Sequence, residues 1–200
     1  MVSQRSVLQT KRQDAPGRLE LVREFLNTRN LELGTDALDE PANVQRWFQA
    51  HHLIDAATAV STAEWQQTIE VRESLRALAL VNTGHTIDPA HTTTLDDLAR
   101  DADVRLRYQP DGTQTLAPRP GDGVLLGLGR ILAIVGTAAL DGRWKRFKVC
   151  RAEDCLWAFY DHSRNRSGVW CQMAECGNRA KVRTYRRRHK PAHESRRDHQ

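Results

Sequence analysis

The sequence predicts a mostly helical α+β protein, in which a helical N-terminal domain with a small β-hairpin is followed by a small module organised by cysteines. Apolar residues recur at helical spacing through most of the first 142 positions, and the period changes to two only near residues 104–117. All four cysteines of the 200-residue chain fall between Cys150 and Cys176. We therefore expect a flexible N-terminus at 1–15, the helical domain at 16–142, the cysteine module at 143–190 and a disordered tail at 191–200.

Five helices are expected in the N-terminal domain, and all but the first have a start or stop signal beside their apolar positions. The first helix is expected from Leu19 to about Arg29, and the second starts at Asp39-Glu40-Pro41. The third begins at the capping box Ser61-x-x-Glu64 and ends near Gly84, and the fourth starts at Asp88-Pro89. The fifth runs from Val124 to Leu140, with Asp122 as its cap. The last helix is apolar nearly all round, so we expect it at the centre of the domain. It carries Arg130 and is shorter than the roughly 20 apolar residues that a membrane span needs.

A change of period predicts the β-hairpin. Val104, Leu106 and Tyr108 alternate with polar residues, which is typical of a half-buried strand. Asp111-Gly112 is a favourable turn, and residues 113–117 can return as the second strand.

The charge of the chain is divided unevenly along its length. From Arg143 to the end there are 16 basic and 6 acidic residues, whereas the first 142 positions hold 14 basic and 19 acidic residues. Such asymmetry indicates a polyanionic partner, most often a nucleic acid. The alternative is a basic segment that is merely solvated.

The cysteines have the spacing of a metal site. Cys150 and Cys155 form one C-x4-C pair, and Cys171 and Cys176 form a second pair after an intervening stretch of 15 residues. Two such knuckles can bring four sulfurs to one tetrahedral centre, which suits zinc best. Two disulfides are disfavoured because every cysteine lies in these two short pairs and residues 1–15 lack an apolar signal core. An iron–sulfur cluster is the other alternative.

Four thiolates leave no open coordination position, so we expect one structural zinc ion and no catalysis at the metal. The resulting module is a treble-clef-like arrangement of knuckle, hairpin and basic helix. The absence of an apolar signal core favours a cytoplasmic location.

A basic helix is expected to begin at or just after Cys176. Gly177 permits close backbone approach there, and Asn178 can bond local backbone groups. One face of this helix carries Val182, Tyr185 and His189, and we expect it to pack on the hairpin of the cysteine module. A stripe of cations at helical spacing lies beside that face and could contact phosphates: Arg179, Arg183, Arg186 and Lys190, widened by Arg187. A second cluster of candidate donors, Arg164, Asn165 and Arg166, lies between the two cysteine pairs.

These residues resemble those of the CGNR zinc finger family. The signature is Cys176-Gly177-Asn178-Arg179, and the match extends over Cys150, Cys155, Tyr160-Asp161, Ser163-Arg164-Asn165-Arg166-Ser167, Trp170-Cys171, Met173 and Lys181. The N-terminal part is similar to the companion domain called ABATE, through Phe25-Leu26-Asn27-Thr28, Trp47 and the stretch from Arg72 to Leu78.

The resemblance implies a bacterial, stress-induced transcription regulator in which a DNA-binding finger, with Lys181 among its contacts, is joined to a regulatory or assembly domain. The chain departs from the family at Gly168-Val169, where basic residues often stand. This departure removes candidate phosphate contacts from the loop.

Other function classes remain open at this stage. A basic zinc module can also bind RNA or associate with the ribosome. The N-terminal domain could instead hold a small-molecule effector near Asn27 and Thr28, although capping or solvating a helix end is the alternative role for this pair. A homodimer is a hypothesis because DNA sites are often two-fold symmetric.

An enzyme is not expected. The chain has no Walker loop and no H-E-x-x-H motif. The pair Gly127-x-Gly129 lacks the third glycine of a dinucleotide fingerprint, because Leu132 stands at that position.

Overall fold

The computed structural model describes residues 13–188, apart from the side chains of residues 184, 187 and 188. Within that range the chain forms six α-helices and three two-stranded antiparallel hairpins. The helices are α1 Leu19–Leu26, α2 Pro41–Ala50, α3 Thr62–Leu80, α4 Pro89–Asp101, α5 Val124–Leu140 and α6 Asn178–Arg188. The strands are β1 Arg29–Asn30, β2 Thr35–Asp36, β3 Arg105–Tyr108, β4 Gln114–Ala117, β5 Phe147–Val149 and β6 Ala158–Tyr160.

The predicted mostly helical α+β class is confirmed, and so are most element signals. Ser61 and Glu64 form the predicted capping box at the start of α3. Strand β3 pairs with β4 through the predicted turn, with Leu106 opposite Leu116.

Two local expectations were wrong, and one strand pairing was not predicted. Helix α1 ends at Leu26 and not near Arg29, which instead begins the unpredicted pairing of β1 with β2. Asp122 does not cap α5, whose N-cap is Gly123 without a side-chain hydrogen bond. The Asp122 carboxylate instead accepts hydrogen bonds from the Asp55 backbone N–H, at 2.9 Å, and from the Thr58 hydroxyl.

Helix α5 lies at the centre of the helical domain, as its apolar composition predicts. Its glycines serve close packing. A Cβ at Gly129 would lie 2.8 Å from the Cβ of Ala102, and a Cβ at Gly127 would lie 3.1 Å from the carbonyl oxygen of Leu53. Close packing against Leu53 in the loop after α2 and against Ala102 at the C-cap of α4 therefore accounts for this glycine pair. Across residues 13–188, no helix combines the length and the hydropathy that crossing a bilayer requires.

The hairpin β5–β6 is part of the main hydrophobic core. Phe147 and Val149 are fully buried, and both belong to the same buried cluster as Val22, Phe25 and Leu75 of the helical domain. Asn82 strengthens this junction by donating to the carbonyl oxygens of Trp144 and Phe147, each at 2.9 Å. The cysteine module therefore rests on a hairpin that the helices hold in place.

Asn27 joins the end of α1 to strand β6. Its amide nitrogen donates to the carbonyl oxygen of Ala158 at 2.9 Å, and its amide oxygen accepts from the Ala158 N–H at 2.8 Å. Thr28 is also engaged within the protein, because its hydroxyl donates to the Phe25 carbonyl oxygen at 2.7 Å and accepts from Arg72 at 3.0 Å. These contacts give both residues a structural role at the helix end.

Replacing Asn27 is expected to loosen this junction. In Asn27→Ala the Ala158 N–H and carbonyl lose both partners, and leaving such groups unpaired costs about 1–3 kcal/mol of unfolding free energy. Urea unfolding measures the change, and Asn43→Ala, at an exposed amide on α2, is the control. Equal stability of the two variants would contradict the assigned role.

Candidate metal centre and its basic surroundings

Four cysteine sulfurs converge beside the β5–β6 hairpin. The Sγ atoms all lie within 4.8 Å of one another, and Cys171 is 3.6 Å from Cys155 and 3.7 Å from Cys176. Sulfurs bound at about 2.3 Å to a tetrahedral zinc ion are about 3.8 Å apart. All four thiols are free, which rules out the disulfide alternative in this structure. The four cysteines therefore form the predicted site for one structural zinc ion.

The raised pKa values of two of the cysteine thiols are also consistent with a site that binds a cation. Hydrogen bonding to Cys150 raises the pKa of Cys155 to about 12. The pKa of Cys171 is raised as well, because its thiol bonds to Cys150 and Cys155 and because it is partly buried. Four thiols at this spacing cannot all ionise unaided, whereas coordination to a divalent metal deprotonates a thiol outright.

The first knuckle is held by the hairpin and by the helical domain. The Cys150 N–H donates to the Trp157 carbonyl oxygen at 2.8 Å, and the Cys155 N–H donates to Ala152 at 2.9 Å. Leu156 follows with a φ of 49°, which closes the turn. From α3, Arg76 donates to the carbonyl oxygens of Leu156, at 2.8 Å, and Leu26. The position of this knuckle is thus set by the domain beneath it.

The second knuckle is a tight turn between Cys171 and Cys176. A single π-helical turn, Met173–Gly177, leads into α6. A Cβ at Gly177 would lie 2.4 Å from the sulfur of Met173, so any other residue there would have to displace the Met173 side chain. The Asn178 amide donates to the Ala174 carbonyl oxygen at 3.0 Å. Gln13, at the N-terminal side of the described chain, donates to the Cys171 carbonyl oxygen at 2.9 Å.

Arg179 lies against the metal ligands. Its Nη2 donates to Cys176 Sγ at 3.3 Å, and its Nη1 donates to Glu32 Oε1 at 2.9 Å. The hydrogen bond to the Cys176 sulfur raises the pKa of Arg179. A zinc ion with four thiolates carries net negative charge, which this guanidinium partly offsets. The sequence places Arg179 on the basic stripe but does not reveal this contact.

The remaining cations of the finger have different surroundings. Arg183 forms an exposed ion pair with Asp154 at 3.1 Å, while Lys181 and Arg186 are exposed. Arg164, Asn165 and Arg166 are exposed on the loop that follows β6. The side chain of Arg187 and the whole of Lys190 lie outside the described residues.

The apolar face expected on α6 is not buried at its described positions. Val182 is 47% exposed and Tyr185 is 63% exposed, while His189 lies outside the described residues. Phe147 and Tyr160 of the hairpin pack in the helical core instead, and Trp157 and Trp170 pack on the cysteines. The prediction failed because the core of the domain already covers the hairpin face that α6 would have needed.

Fold and site together define a structural-zinc protein in which a four-cysteine finger is built onto a mainly helical domain. Comparison with family models agrees with this class. The ABATE model, described as "Putative stress-induced transcription regulator", matches residues 19–141, and the CGNR zinc finger model matches residues 146–189. The chain belongs to the ABATE family and carries a CGNR zinc finger. The comparison with curated proteins gives no significant match.

Proposed function

We propose that this protein is a DNA-binding transcription regulator of the bacterial cytoplasm that acts in a stress response. The observation that carries the proposal is the set of exposed cations on the zinc-held finger. They lie on α6 and on the loop after β6: Arg164, Arg166, Lys181, Arg183 and Arg186. The rest of the chain is acidic on balance, so the finger is the part suited to phosphates.

The intramolecular ion pairs of α6 are compatible with this role. Arg183 and Asp154 are both about half exposed, with side-chain exposures of 54% and 48%. Exposed pairs of this kind contribute about 0–1 kcal/mol. A DNA phosphate can therefore replace the carboxylate of Asp154, since forked hydrogen bonds from arginine to phosphate are strong.

Arg179 has a different role in this proposal. Because it bonds a zinc ligand and Glu32, it supports the finger and holds the start of α6 against the domain. The phosphate contacts then fall to the more exposed cations farther along α6 and on the loop. Helix α6 has no acidic residue between positions 178 and 188.

Fluorescence anisotropy of a random-sequence duplex DNA pool, titrated with the zinc-loaded chain, measures DNA binding and so tests the function. We expect binding that weakens linearly on a log–log plot against salt. Competition with a structured RNA separates the DNA function from an RNA function. Preference for the RNA, or binding to neither nucleic acid at low salt, would contradict the proposal.

Removing two cations from α6 is expected to weaken DNA binding. Arg183→Ala combined with Arg186→Ala should raise Kd at least about tenfold and reduce the salt slope by about 2, because two phosphate contacts are lost. Zinc content should stay at one ion per chain. The control is Arg46→Ala with Arg100→Ala, which removes the same charge from exposed positions on α2 and α4. If both double variants weaken binding equally, net charge alone is responsible.

A further inference from the structure

The loop after β6 is built around a buried lysine. Lys148 lies in the middle of β5 and is only 2% exposed. Its Nζ donates to Asp161 Oδ2 at 2.7 Å, to the Arg166 carbonyl oxygen at 2.6 Å and to the Gly168 carbonyl oxygen at 2.8 Å. All three N–H groups of the ammonium are thus used, and two of them bind carbonyl oxygens at the C-terminal end of the loop.

Asp161 holds the same loop from its other end. This carboxylate is 4% exposed and accepts from the Ser163 N–H and the Gly168 N–H, each at 2.9 Å. Burial raises its pKa, but the hydrogen bonds from Lys148, Ser163 and Gly168 outweigh burial and lower the pKa to about 2. The carboxylate is therefore ionised and paired at neutral pH. Residues 161–168, named here the arginine loop, close around this ion pair.

Gly168, at which the chain departs from the family pattern, lies close to the Asp161 carboxylate. A Cβ at Gly168 would lie 3.0 Å from Cγ of Asp161 and 3.1 Å from both carboxylate oxygens. Arg166 has a φ of 53°, so the loop turns back there. Arg146 also binds the backbone of the loop, because it donates to the carbonyl oxygens of Asp161, at 3.0 Å, and Ser163, at 2.9 Å.

We infer that the buried Lys148–Asp161 pair is a positioning element for nucleic-acid binding. It fixes the backbone of the arginine loop before DNA arrives, so that Arg164 and Arg166 are presented to phosphates without an ordering cost on binding. A buried ion pair with every partner satisfied is rigid, whereas an exposed loop rich in arginine would lose conformational entropy when it bound. The inference rests on the proposed function, because it assigns this loop a contact with phosphate.

Asp161→Asn tests the positioning role with little change of shape. The amide has a single acceptor oxygen, so it cannot accept from Lys148 and the Gly168 N–H at one position and from the Ser163 N–H at the other, as the carboxylate does. We expect the Kd for duplex DNA to rise about tenfold, because preorganisation of the two arginines is lost. Zinc content should be unchanged. Asp36→Asn is the matched control, since it makes the same change in the ion pair of Arg72 and Asp36 within the helical domain.

A double-mutant cycle distinguishes positioning from general destabilisation. If Asp161 acts through the arginines, Asp161→Asn should have no further effect on Kd in a chain that already carries Arg164→Ala and Arg166→Ala. A change that merely weakened the fold would lower affinity by the same factor in both backgrounds. Gly168→Ala is a second variant, which displaces the Asp161 carboxylate without changing any charge.

Hydrogen exchange reports on the loop without DNA. The Ser163 and Gly168 amides should be protected in the native protein and lose protection in Asp161→Asn. Full DNA affinity in both Asp161→Asn and Gly168→Ala, while the native chain binds DNA, would overturn the inference and leave the proposed function standing. Failure of the native chain to bind any nucleic acid would overturn both.

Discussion

Cys171→Ser is expected to abolish zinc binding and to release helix α6 from the rest of the protein. The variant loses one of four thiolates, and binding of a structural zinc ion contributes on the order of 10 kcal/mol to folding of a small module. Helix α6 is joined to the cluster through Cys176 and through the hydrogen bond from Arg179 to the Cys176 sulfur. Its ion pairs of Arg179 with Glu32 and of Arg183 with Asp154 are at least partly exposed, and such pairs contribute about 0–1 kcal/mol each.

Zinc content and hydrogen exchange together measure this effect. We expect less than one-tenth of the native zinc content, about a tenfold or larger loss, and loss of protection for the amides of α6. The amides of α5 should keep most of their protection, because the β5–β6 hairpin is held by the helical core. A chelator added to native protein should reproduce the change, and the same chelator should do nothing more to Cys171→Ser. Retention of full metal content by the variant would refute the assignment of Cys171 as a ligand.

Arg72→Met is expected to cost about 3 kcal/mol of unfolding free energy, because it removes a buried guanidinium and leaves the partly buried Asp36 carboxylate and the Thr28 hydroxyl without their donor. Arg72 is fully buried and donates to both carboxylate oxygens of Asp36, at 2.7 and 2.6 Å. It also reaches the Thr28 hydroxyl at 3.0 Å and Glu73 at 3.0 Å. Methionine fills the volume of the stem but leaves these acceptors without their donor.

The pH dependence of this cost has a defined sign. Burial raises the pKa of Asp36, but hydrogen bonds from Arg72 and the Leu38 N–H bring it below the ordinary value of 3.8. The pair therefore contributes its full stability at neutral pH, and this contribution is lost as pH falls below 3.8. In chemical denaturation, the difference between native protein and Arg72→Met should shrink over that range. Arg46→Met, at an exposed pair on α2, is the control, and an equal cost at both sites would contradict the structural role of Arg72.

The sequence was sufficient where a local rule decides the structure. The Ser61–Glu64 capping box, the Asp88-Pro89 helix start and the Asp111-Gly112 hairpin turn each depend on neighbours in the chain. The zinc ligands were also predictable, because thiolate spacing carries the chemistry directly. Helix α5 followed from its composition, since a helix that is apolar all round has to be surrounded.

Contacts between residues that are far apart in the chain could not be predicted from local sequence patterns. Asn27 bonds to Ala158, and Arg179 bonds to Glu32; such pairings become visible only when the chain is folded. The face of α6 was mispredicted for the same reason, because periodicity shows an apolar side but not whether a surface is free to receive it. Lys148 did leave a signal. A lysine between Phe147 and Val149 in a buried strand requires a partner, and Asp161 follows the strand that pairs with it.

Zinc-edge X-ray absorption of the native 200-residue chain tests the four-sulfur zinc centre most directly. We expect one zinc ion per chain with four sulfur neighbours at about 2.3 Å and no nitrogen or oxygen in the coordination shell. Metal-free native protein, or a shell that contains nitrogen or oxygen in place of one of the sulfurs, would contradict it.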